Sequence, residues 1–344
     1  MKKGDVLNGY RILEDFKVAG GMSKISFAER SGKVYFIKEF LSPKYPTSDS
    51  PGSERIKAQK RKSCDEFEAH HKKINRLIGE KSKSGGNLVY AVDFFRNGTS
   101  YYKINERIDT AGLSVENISK LAIDNILIIA KSVCSSLNIL HELKIVHGDL
   151  KPENILIKQT GEKIFTGKLI DFDDSYFSAN PPKDREAIVG TPEYYSPELA
   201  AYIMAEDDED VDASTMTLAS DIFTLGIILT EYFTGSKPIF SENIPTWNAI
   251  NKGLDFSFAK DLPKSVADLI RKMLSKNPAD RPTIKSIHIL LRDIKLIPPT
   301  PPDTKPKGGT LRGSLLDEVK SHEEKDERIK RVKTRLKIGK DLKL

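Results

Sequence analysis

The sequence predicts an α+β fold with two lobes, a small β-rich lobe followed by a larger, mainly α-helical lobe. Short strand patterns of β-branched and aromatic residues run to about Arg107 and are interrupted by one helical pattern. Amphipathic helical patterns then occupy most of the chain to about Leu296. A chain of 344 residues is long enough to bury a sizeable core in each lobe. We therefore expect one lobe at about 10–107 and the other at about 108–296.

Bulk composition argues against several classes of protein. The 55 basic and 49 acidic residues give a formal net charge of +6, which is too balanced to indicate a nucleic-acid partner. The two cysteines, Cys64 and Cys134, fall in separate helical patterns, which favours a reduced intracellular protein over a disulfide framework. The N-terminus lacks the apolar stretch of a signal peptide, and no run approaches the roughly 18 apolar residues of a membrane span. We expect a cytoplasmic protein without a nucleic-acid or membrane partner.

The first lobe contains a glycine pair followed by a strand that ends in a lysine. Residues 18–28 read VAGGMSKISFA, and Gly20 and Gly21 would let the backbone approach a phosphate closely. An ordinary hairpin turn explains an isolated Gly-Gly pair equally well. The next strand pattern, YFIK, ends at Lys38, and its distance from the glycine turn favours a functional lysine over a solvated one.

A long polar segment separates this strand from the helical pattern of the first lobe. Residues 42–63 are rich in proline and serine and then in lysine, and they exceed the usual length of a connection inside a domain, so we expect a mobile insertion. Its basic cluster at 57–62 either contacts an acidic partner or forms a solvated helix face, and the solvated face is favoured. The helical pattern DEFEAHHKKINRLI then offers two carboxylates, Glu66 and Glu68. The strand YYKINERI at 101–108 closes the lobe.

The most informative stretch is HGDLKPEN at 147–154. It places the acid Asp149, the lysine Lys151 and the amide Asn154 at the offsets that a phosphoryl-transfer loop requires. A surface turn is the alternative explanation. A hairpin of β-branched runs follows and ends in DFDD, where Asp171 comes directly after the second strand. The joint spacing argues against a simple surface turn.

These stretches resemble the protein kinase family over about 10–296, closest in manner to the compact bacterial serine/threonine kinases. Two further segments carry the resemblance: GTPEYYSPE at 190–198 resembles the end of an activation segment, and SDIFTLG at 220–226 resembles the buried helix that follows it. The resemblance implies the two-lobed kinase fold and a serine/threonine protein kinase. Such an enzyme transfers the γ-phosphoryl group of ATP to hydroxyl groups of proteins, its own included.

The resemblance assigns roles to the residues of the second lobe. Asp149 would accept the proton of the substrate hydroxyl, and Lys151 would offset charge on the γ-phosphate. Asn154 and Asp171 would hold Mg²⁺, or Mn²⁺ in its place. Thr191 matches a threonine that is typical of serine/threonine kinases, where its hydroxyl bridges the catalytic aspartate and lysine.

The first lobe matches the family less well. Gly20 is the one glycine of the phosphate loop that survives, and Phe36 replaces the alanine usually found beneath adenine, so nucleotide choice is open. Lys38 would bind the α- and β-phosphates, and we select Glu68 over Glu66 as its partner on the helix. With 106–108 as the hinge, the implied nucleotide-binding set is Gly20, Gly21, Ser23, Ile25, Lys38, Glu68, Glu106 and Ile108.

Three positions depart from the family pattern. Gly148 stands where many kinases carry an arginine that pairs with an activation-loop phosphate, which predicts activity without that phosphorylation. Asp173 replaces the glycine of the DFG triplet, which predicts restricted flipping of this backbone. Asn105 occupies the position next to the back pocket of the nucleotide site, and a one-residue shift in the alignment of this strand would place a neighbour there instead. Two structural roles carry over unchanged: Asp221 would brace the catalytic loop, and the pair Glu198 and Arg281 would join two segments.

Beyond Ile297 the composition changes to PPTPPDTKPKGGTLRGS, which predicts a flexible tether at the domain boundary. Thr300, Thr304 and Thr310 are the autophosphorylation sites we expect there. Residues 315–344 are highly charged with a weak apolar stripe, and they either dock a partner or form a solvated, marginally stable helix.

Two other functions compete with a protein kinase. Aminoglycoside and choline kinases share the HGD triplet and phosphorylate small molecules, but Lys151, the segment 190–198 and Arg281 favour a protein acceptor. A pseudokinase scaffold is supported by the degenerate glycine loop, Phe36 and DFD. The groups that handle nucleotide, proton and metal oppose a scaffold: Lys38, Asp149, Asn154 and Asp171.

Overall fold

Two lobes, one built on a sheet and one on helices, make up the part of the chain that the computed structural model describes, and this confirms the predicted α+β fold. The described residues are 1–19, 23–82, 87–185, 188, 190–205 and 212–294. Gly20 and Gly21 lie outside them, as do the predicted tether and tail at 297–344 with Thr300, Thr304 and Thr310.

An antiparallel sheet of seven strands forms the first lobe, and one helix packs against it. In chain order the elements are β1 (Val6–Leu7), β2 (Tyr10–Ile12), β3 (Lys17–Ala19), β4 (Ser23–Arg30), β5 (Lys33–Phe40), α1 (Glu54–Ser82), β6 (Ala91–Asn97) and β7 (Ser100–Glu106). The spatial order of the strands is β1-β2-β4-β5-β7-β6, with β3 paired to β4. Alternating apolar residues turn one face of the sheet inward around Ile12, Ile37 and Ile104.

The structure corrects the expected mobile insertion at 42–63, because α1 already begins at Glu54. The basic cluster at 57–62 therefore lies on the first turns of this helix. Lys57 is buried and donates a hydrogen bond from Nζ to the Ser48 carbonyl oxygen at 2.6 Å. Lys60 and Lys62 are exposed, which fits the solvated helix face.

Helices and two small strand pairs form the second lobe. The elements are α2 (Val115–Ile118), α3 (Ile123–Glu142), β8 (Ile145–Val146), β9 (Ile155–Gly161), β10 (Ile164–Leu169), β11 (Tyr176–Phe177), α4 (Pro197–Met204), α5 (Leu218–Thr234), α6 (Thr246–Asn251), α7 (Lys264–Met273) and α8 (Ile284–Asp293). Strands β9 and β10 make the hairpin that the sequence predicts, and β8 pairs with β11. Helix α5 is buried from Ser220 to Phe233 and forms the centre of the lobe.

Within the described residues, α3 is the helix long and apolar enough to cross a membrane, with a mean hydropathy of 1.4 over its most apolar window. Half of that window is buried within the fold. The helix packs against β10 and α8, which is the environment of a core helix. Its cysteine, Cys134, is buried as a free thiol, and so is Cys64 of α1.

Candidate active site

The loop between β8 and β9 gathers three polar side chains around one carboxylate. Lys151 Nζ donates to Asp149 Oδ2 at 2.6 Å and to Thr191 Oγ1 at 3.0 Å. The Thr191 hydroxyl donates in turn to Asp149 Oδ1 at 3.2 Å. Asn154 Nδ2 donates to the Asp149 carbonyl oxygen at 2.7 Å and to Oδ2 at 3.2 Å. Both carboxylate oxygens of Asp149 are therefore held in place, as the spacing of the loop predicts.

A buried aspartate of α5 binds the backbone of this loop. Asp221 Oδ2 accepts a hydrogen bond from the His147 backbone N–H at 2.9 Å and lies 3.0 Å from His141 Nε2. His147 itself is completely buried, and this burial lowers the pKa of its imidazole despite the nearby aspartates. Asp221 makes the contact expected of a brace.

Gly148 has a geometric reason to be glycine. Its φ of +84° lies in the left-handed region, and a Cβ added there would lie 2.2 Å from the Asp174 carbonyl oxygen. The Ser175 hydroxyl is buried and donates to the His147 carbonyl oxygen at 3.0 Å. The chain after Asp171 therefore lies directly on the catalytic loop, in the space that a side chain at position 148 would need.

The donor set fits a magnesium ion at Asn154 and Asp171. Because the Asn154 amide nitrogen is turned toward Asp149, its carbonyl oxygen is the atom left for a metal. The Asp171 side chain is 33% exposed. Carboxylate and amide oxygens are the ligands that Mg²⁺ prefers, and it commonly binds one or two of them together with substrate phosphates. In the described part of the chain, no cluster of three or more His, Cys, Asp or Glu residues forms a metal site on its own.

Two lysines form a compact ionic cluster with Asp171 and Asp173. Lys38 Nζ lies 2.9 Å from Asp171 Oδ2 and 2.6 Å from Asp173 Oδ2. Lys103 Nζ lies 2.5 Å from Asp173 Oδ1 and 3.4 Å from Asp171 Oδ1. Lys38 and Lys103 are directly opposite each other on β5 and β7. Since like charges at directly opposed positions destabilise a sheet, the two carboxylates compensate the lysine pair.

Burial and pairing set the charges of this cluster. Burial opposes the charge of Lys38, but the carboxylates of Asp173 and Asp171 outweigh it and raise its pKa above the usual value. Burial also opposes ionisation of Asp173, and the positive charges of Lys103 and Lys38 more than offset it, holding its pKa well below the usual range. His71 Nδ1 lies 3.8 Å from Asp173 Oδ1, yet burial lowers the pKa of His71 to about 3. The imidazole is therefore neutral.

The predicted partner of Lys38 on α1 is wrong. Glu68 Oε1 instead accepts from Lys72 Nζ, one turn further along the same helix, at 2.5 Å. Glu66 is exposed near Lys62. The α1 side chain that reaches the cluster is His71, whose ring packs on Phe94 with ring centroids 5.0 Å apart. Asp173 occupies the place beside Lys38 that the sequence assigns to an acidic residue of α1.

The remaining predicted nucleotide-binding residues lie on β4, β7 and the segment after it. Ile25 is in register with Lys38 across β4 and β5, and Ser23 is buried at the start of β4. Glu106 ends β7, and Ile108 follows it. Glu106 Oε1 accepts from Lys33 Nζ at 2.5 Å, so an ion pair occupies its carboxylate. We call the space between the paired strands β5 and β7 and Asp171 the cleft.

Phe36 and Asn105 are directly opposite each other on β5 and β7, two residues from the opposed pair of Lys38 and Lys103. Asn105 is buried, and its Nδ2 donates to the Val89 carbonyl oxygen at 3.5 Å. The Phe36 ring meets the Phe27 ring edge to face at a centroid distance of 6.1 Å. Asn105 therefore lies on the same strand face as Lys103, two residues along.

Beyond Thr191, the chain is anchored to the helices of the second lobe. Tyr194 Oη donates to Glu231 Oε2 at 2.9 Å, and the Tyr194 carbonyl oxygen accepts from Thr224 Oγ1 at 2.8 Å. Trp247 Nε1 donates to the Pro192 carbonyl oxygen at 3.1 Å. These hydrogen bonds fix the segment that follows Thr191, whose own hydroxyl binds Asp149.

The predicted pair of Glu198 and Arg281 forms and is almost fully buried. The two side chains meet through parallel hydrogen bonds of 2.7 and 2.8 Å. The other three guanidinium donors bind the carbonyl oxygens of Ser275, Ala219 and Lys276. All five donors of Arg281 are satisfied, as a buried guanidinium requires.

Sequence reasoning missed Lys103 and His71 and assigned no partner to Asp173. Lys103 interrupts a strand whose neighbours Tyr101, Tyr102 and Ile104 are all buried. A charged residue in the middle of an apolar strand is a signal of a buried ionic partner. Its position opposite Lys38 follows from the strand register, which the sequence does not display.

Comparison with known proteins is consistent with this geometry. The family described as protein kinase domain matches residues 53–289, more than half of the chain, and the matched range begins after β5 and Lys38. A meiosis-specific serine/threonine-protein kinase of Schizosaccharomyces pombe is 30% identical over 224 residues, 64% of this chain and 48% of the relative. A cell cycle serine/threonine-protein kinase of Saccharomyces cerevisiae is 27% identical over 237 residues, 68% of this chain and 32% of the relative.

An Aurora kinase of Patiria pectinifera is 31% identical over 149 residues, 43% of this chain and 32% of the relative. The chain therefore spans about half or less of the length of these curated relatives. The match over 53–289 and the network around Asp149 agree with each other: the chain belongs to the protein kinase domain family.

Proposed function

We propose that this protein is a serine/threonine protein kinase that transfers the γ-phosphoryl group of ATP to hydroxyl groups of proteins, including its own. The observation that carries the proposal is the closed network of Asp149, Lys151, Thr191 and Asn154. It supplies an oriented carboxylate and a cation next to each other, which are the two groups that this reaction needs beside the nucleotide.

The reaction proceeds at Asp149. Its carboxylate orients the acceptor hydroxyl and takes its proton as the oxygen bonds to the γ-phosphorus and the bond to the ADP oxygen breaks. Lys151 Nζ, 2.6 Å from the same carboxylate, offsets the negative charge on the phosphoryl group in transit. Lys38 orients the nucleotide phosphates.

Asn154 and Asp171 would hold Mg²⁺, which would supply positive charge to offset the charge of the ATP phosphates. Mn²⁺ has the same preference for oxygen ligands and is the alternative metal. The two side chains supply neutral amide oxygen and carboxylate oxygen, a donor set that binds either ion without cysteine or histidine.

A protein acceptor is supported by the anchored segment that follows Thr191. Tyr194 and Pro192 are fixed to α5 and α6, respectively, so an extended peptide would meet a rigid surface next to Asp149. A small-molecule kinase does not need such a rigid surface for a peptide. Serine or threonine is the favoured acceptor because Thr191 lies between Lys151 and Asp149.

The test is transfer of labelled γ-phosphate from ATP with Mg²⁺ to the protein itself and to a generic basic protein. Wild type should produce phosphoserine or phosphothreonine, and Asp149→Asn should lower the rate by about 10²- to 10⁴-fold because the general base is lost. The matched control, Asp261→Asn, makes the same chemical change at an exposed position and should keep the wild-type rate.

Silence of wild type despite measured ATP binding would overturn the proposal. A pseudokinase scaffold would then take its place if no acceptor is found. Transfer to aminoglycosides or choline, and not to proteins, would instead identify a small-molecule kinase.

A further inference from the structure

The acid next to Lys38 comes from an unexpected element. Glu68 and Glu66 of α1 point elsewhere, and His71, the α1 side chain at the cluster, is neutral. Asp173, from the segment that follows β10, lies 2.6 Å from Lys38 Nζ instead. Lys38 is therefore tied to the chain that carries Asp171 and has no acidic partner from the helix.

The two aspartates of the cluster differ in their access to the cleft. The Asp171 side chain is 33% exposed, whereas that of Asp173 is 9% exposed. A metal or a nucleotide can therefore reach Asp171 but not Asp173. With Asp171 holding a metal, Asp173 would be the carboxylate beside Lys38 that stays free of it.

Lys103 keeps Asp173 in place. Its side chain is 4% exposed, and its Nζ is 2.5 Å from Asp173 Oδ1, on the opposite oxygen from the one that faces Lys38. Because Lys103 and Lys38 are in register on paired strands, the sheet sets the spacing between the two ammonium groups. Asp173 bridges that spacing with its two oxygens.

We propose that Asp173 is the positioning residue that holds Lys38 for nucleotide phosphates, with Lys103 as its fixed counter-ion, a role that rests on the proposed kinase activity. The orientation of Lys38 then depends on the backbone at 171–173 and does not depend on an acid from α1. This assigns a function to the aspartate that replaces glycine in the DFD triplet.

The first test compares Asp173→Asn with Glu68→Gln. The affinity for ATP is measured in excess EDTA, where no metal contributes, and the KM for ATP and kcat are measured with Mg²⁺. Asp173→Asn removes the charge at constant shape, so the Kd in EDTA should rise about tenfold and kcat/KM should fall roughly ten- to hundredfold. Glu68→Gln should leave all three unchanged. Wild-type values in Asp173→Asn, or a loss in Glu68→Gln, would overturn the proposal.

The second test separates positioning from a purely structural role. In Asp173→Asn, Lys103 loses its nearest counter-ion, and the double variant Asp173→Asn/Lys103→Met removes that buried charge as well. The double variant should regain thermal stability relative to Asp173→Asn but keep the weakened ATP binding. If ATP affinity returns to the wild-type value together with stability, Asp173 is structural only and the proposal fails.

The binding measurement also keeps this inference apart from the proposed function. A wild-type protein that binds ATP in EDTA and transfers no phosphate would refute the kinase activity. In that protein, unchanged ATP affinity in Asp173→Asn would separately refute the positioning role.

Discussion

At the scale of single residues, the fold raises the pKa of the Asp174 carboxyl group. Burial and the nearby carboxylates of Asp173, Asp149 and Asp171 raise the pKa of Asp174 to about 7. An aspartate in an unfolded chain has a pKa of about 4, so between these values the folded state binds more protons than the unfolded state. The associated stability is present at low pH and is lost as the pH rises through about 7.

Asp174→Asn should therefore stabilise the metal-free protein, and increasingly so at higher pH. We expect its advantage in the free energy of unfolding to grow by about 2 kcal/mol between pH 5 and pH 8, since the amide is not ionised. Urea unfolding at both pH values measures this difference. Asp261→Asn, an exposed counterpart, should show no such growth. An advantage that is independent of pH would mean that Asp174 is already ionised at pH 5.

The residues of the site could be predicted where they lie close together in the sequence. Asp149, Lys151 and Asn154 lie within eight consecutive residues, and their spacing alone indicates one loop around one carboxylate. The contact of Lys103 with Asp173 joins positions 70 residues apart. It depends on strand register and on the path of the chain after β10, and neither is visible in local spacing.

At the scale of elements, the pair of Glu198 and Arg281 joins α4 to the turn before α8. Arg281→Met should lower the free energy of unfolding by about 3–5 kcal/mol, because it leaves a buried carboxylate without its partner. Urea unfolding followed by circular dichroism checks the value.

A matched double variant separates charge from packing at this pair. Adding Glu198→Gln to Arg281→Met removes the orphaned charge and should recover part of the lost stability. A loss below about 1 kcal/mol in Arg281→Met would contradict a joining role, because that is the usual value of an exposed ion pair.

Helix α1 shows why an element boundary was missed. The sequence predicts one mobile insertion at 42–63, because a proline- and serine-rich stretch precedes the helix and the helix itself is densely charged. The helix start was nevertheless encoded, since Ser53 Oγ accepts from the Ile56 backbone N–H and Glu54 lies in the first turn. The apolar face of the helix, with Cys64, Ile74 and Ile78 buried, is what turns that weak signal into a stable helix.

At the scale of the whole molecule, the chain that follows Asp171 is held against the second lobe. Gly148 admits the Asp174 backbone, Ser175 is buried on His147, and the Ser178 backbone N–H donates to the Lys144 carbonyl oxygen at 2.9 Å. We therefore expect phosphatase-treated wild type and Ser178→Ala to keep the activity of untreated protein. Phosphotransfer rates before and after phosphatase treatment measure this.

Ser175→Ala tests the same expectation from inside the fold. It removes one buried hydrogen bond and should cost about 1 kcal/mol of stability without abolishing activity. Loss of activity in either serine variant, in protein that remains folded by circular dichroism, would mean that phosphorylation there is required.

The order of the elements was predictable because the two lobes differ in periodicity, with strands and one helix first and helices afterwards. The ionic cluster that links β5 and β7 to the segment after β10 was not predictable, because its residues are far apart in the sequence.

That cluster also has a consequence for inhibitor design. A compound that binds by displacing residues 171–173 must separate Asp173 from both Lys38 and Lys103, and it must leave Lys103, which is 4% exposed, without its nearest counter-ion in the interior. A compound that occupies the cleft and leaves this segment in place meets no such penalty. Selective ligands for this protein should therefore come from the second class, with the paired side chains of Phe36 and Asn105 as the features that distinguish its cleft.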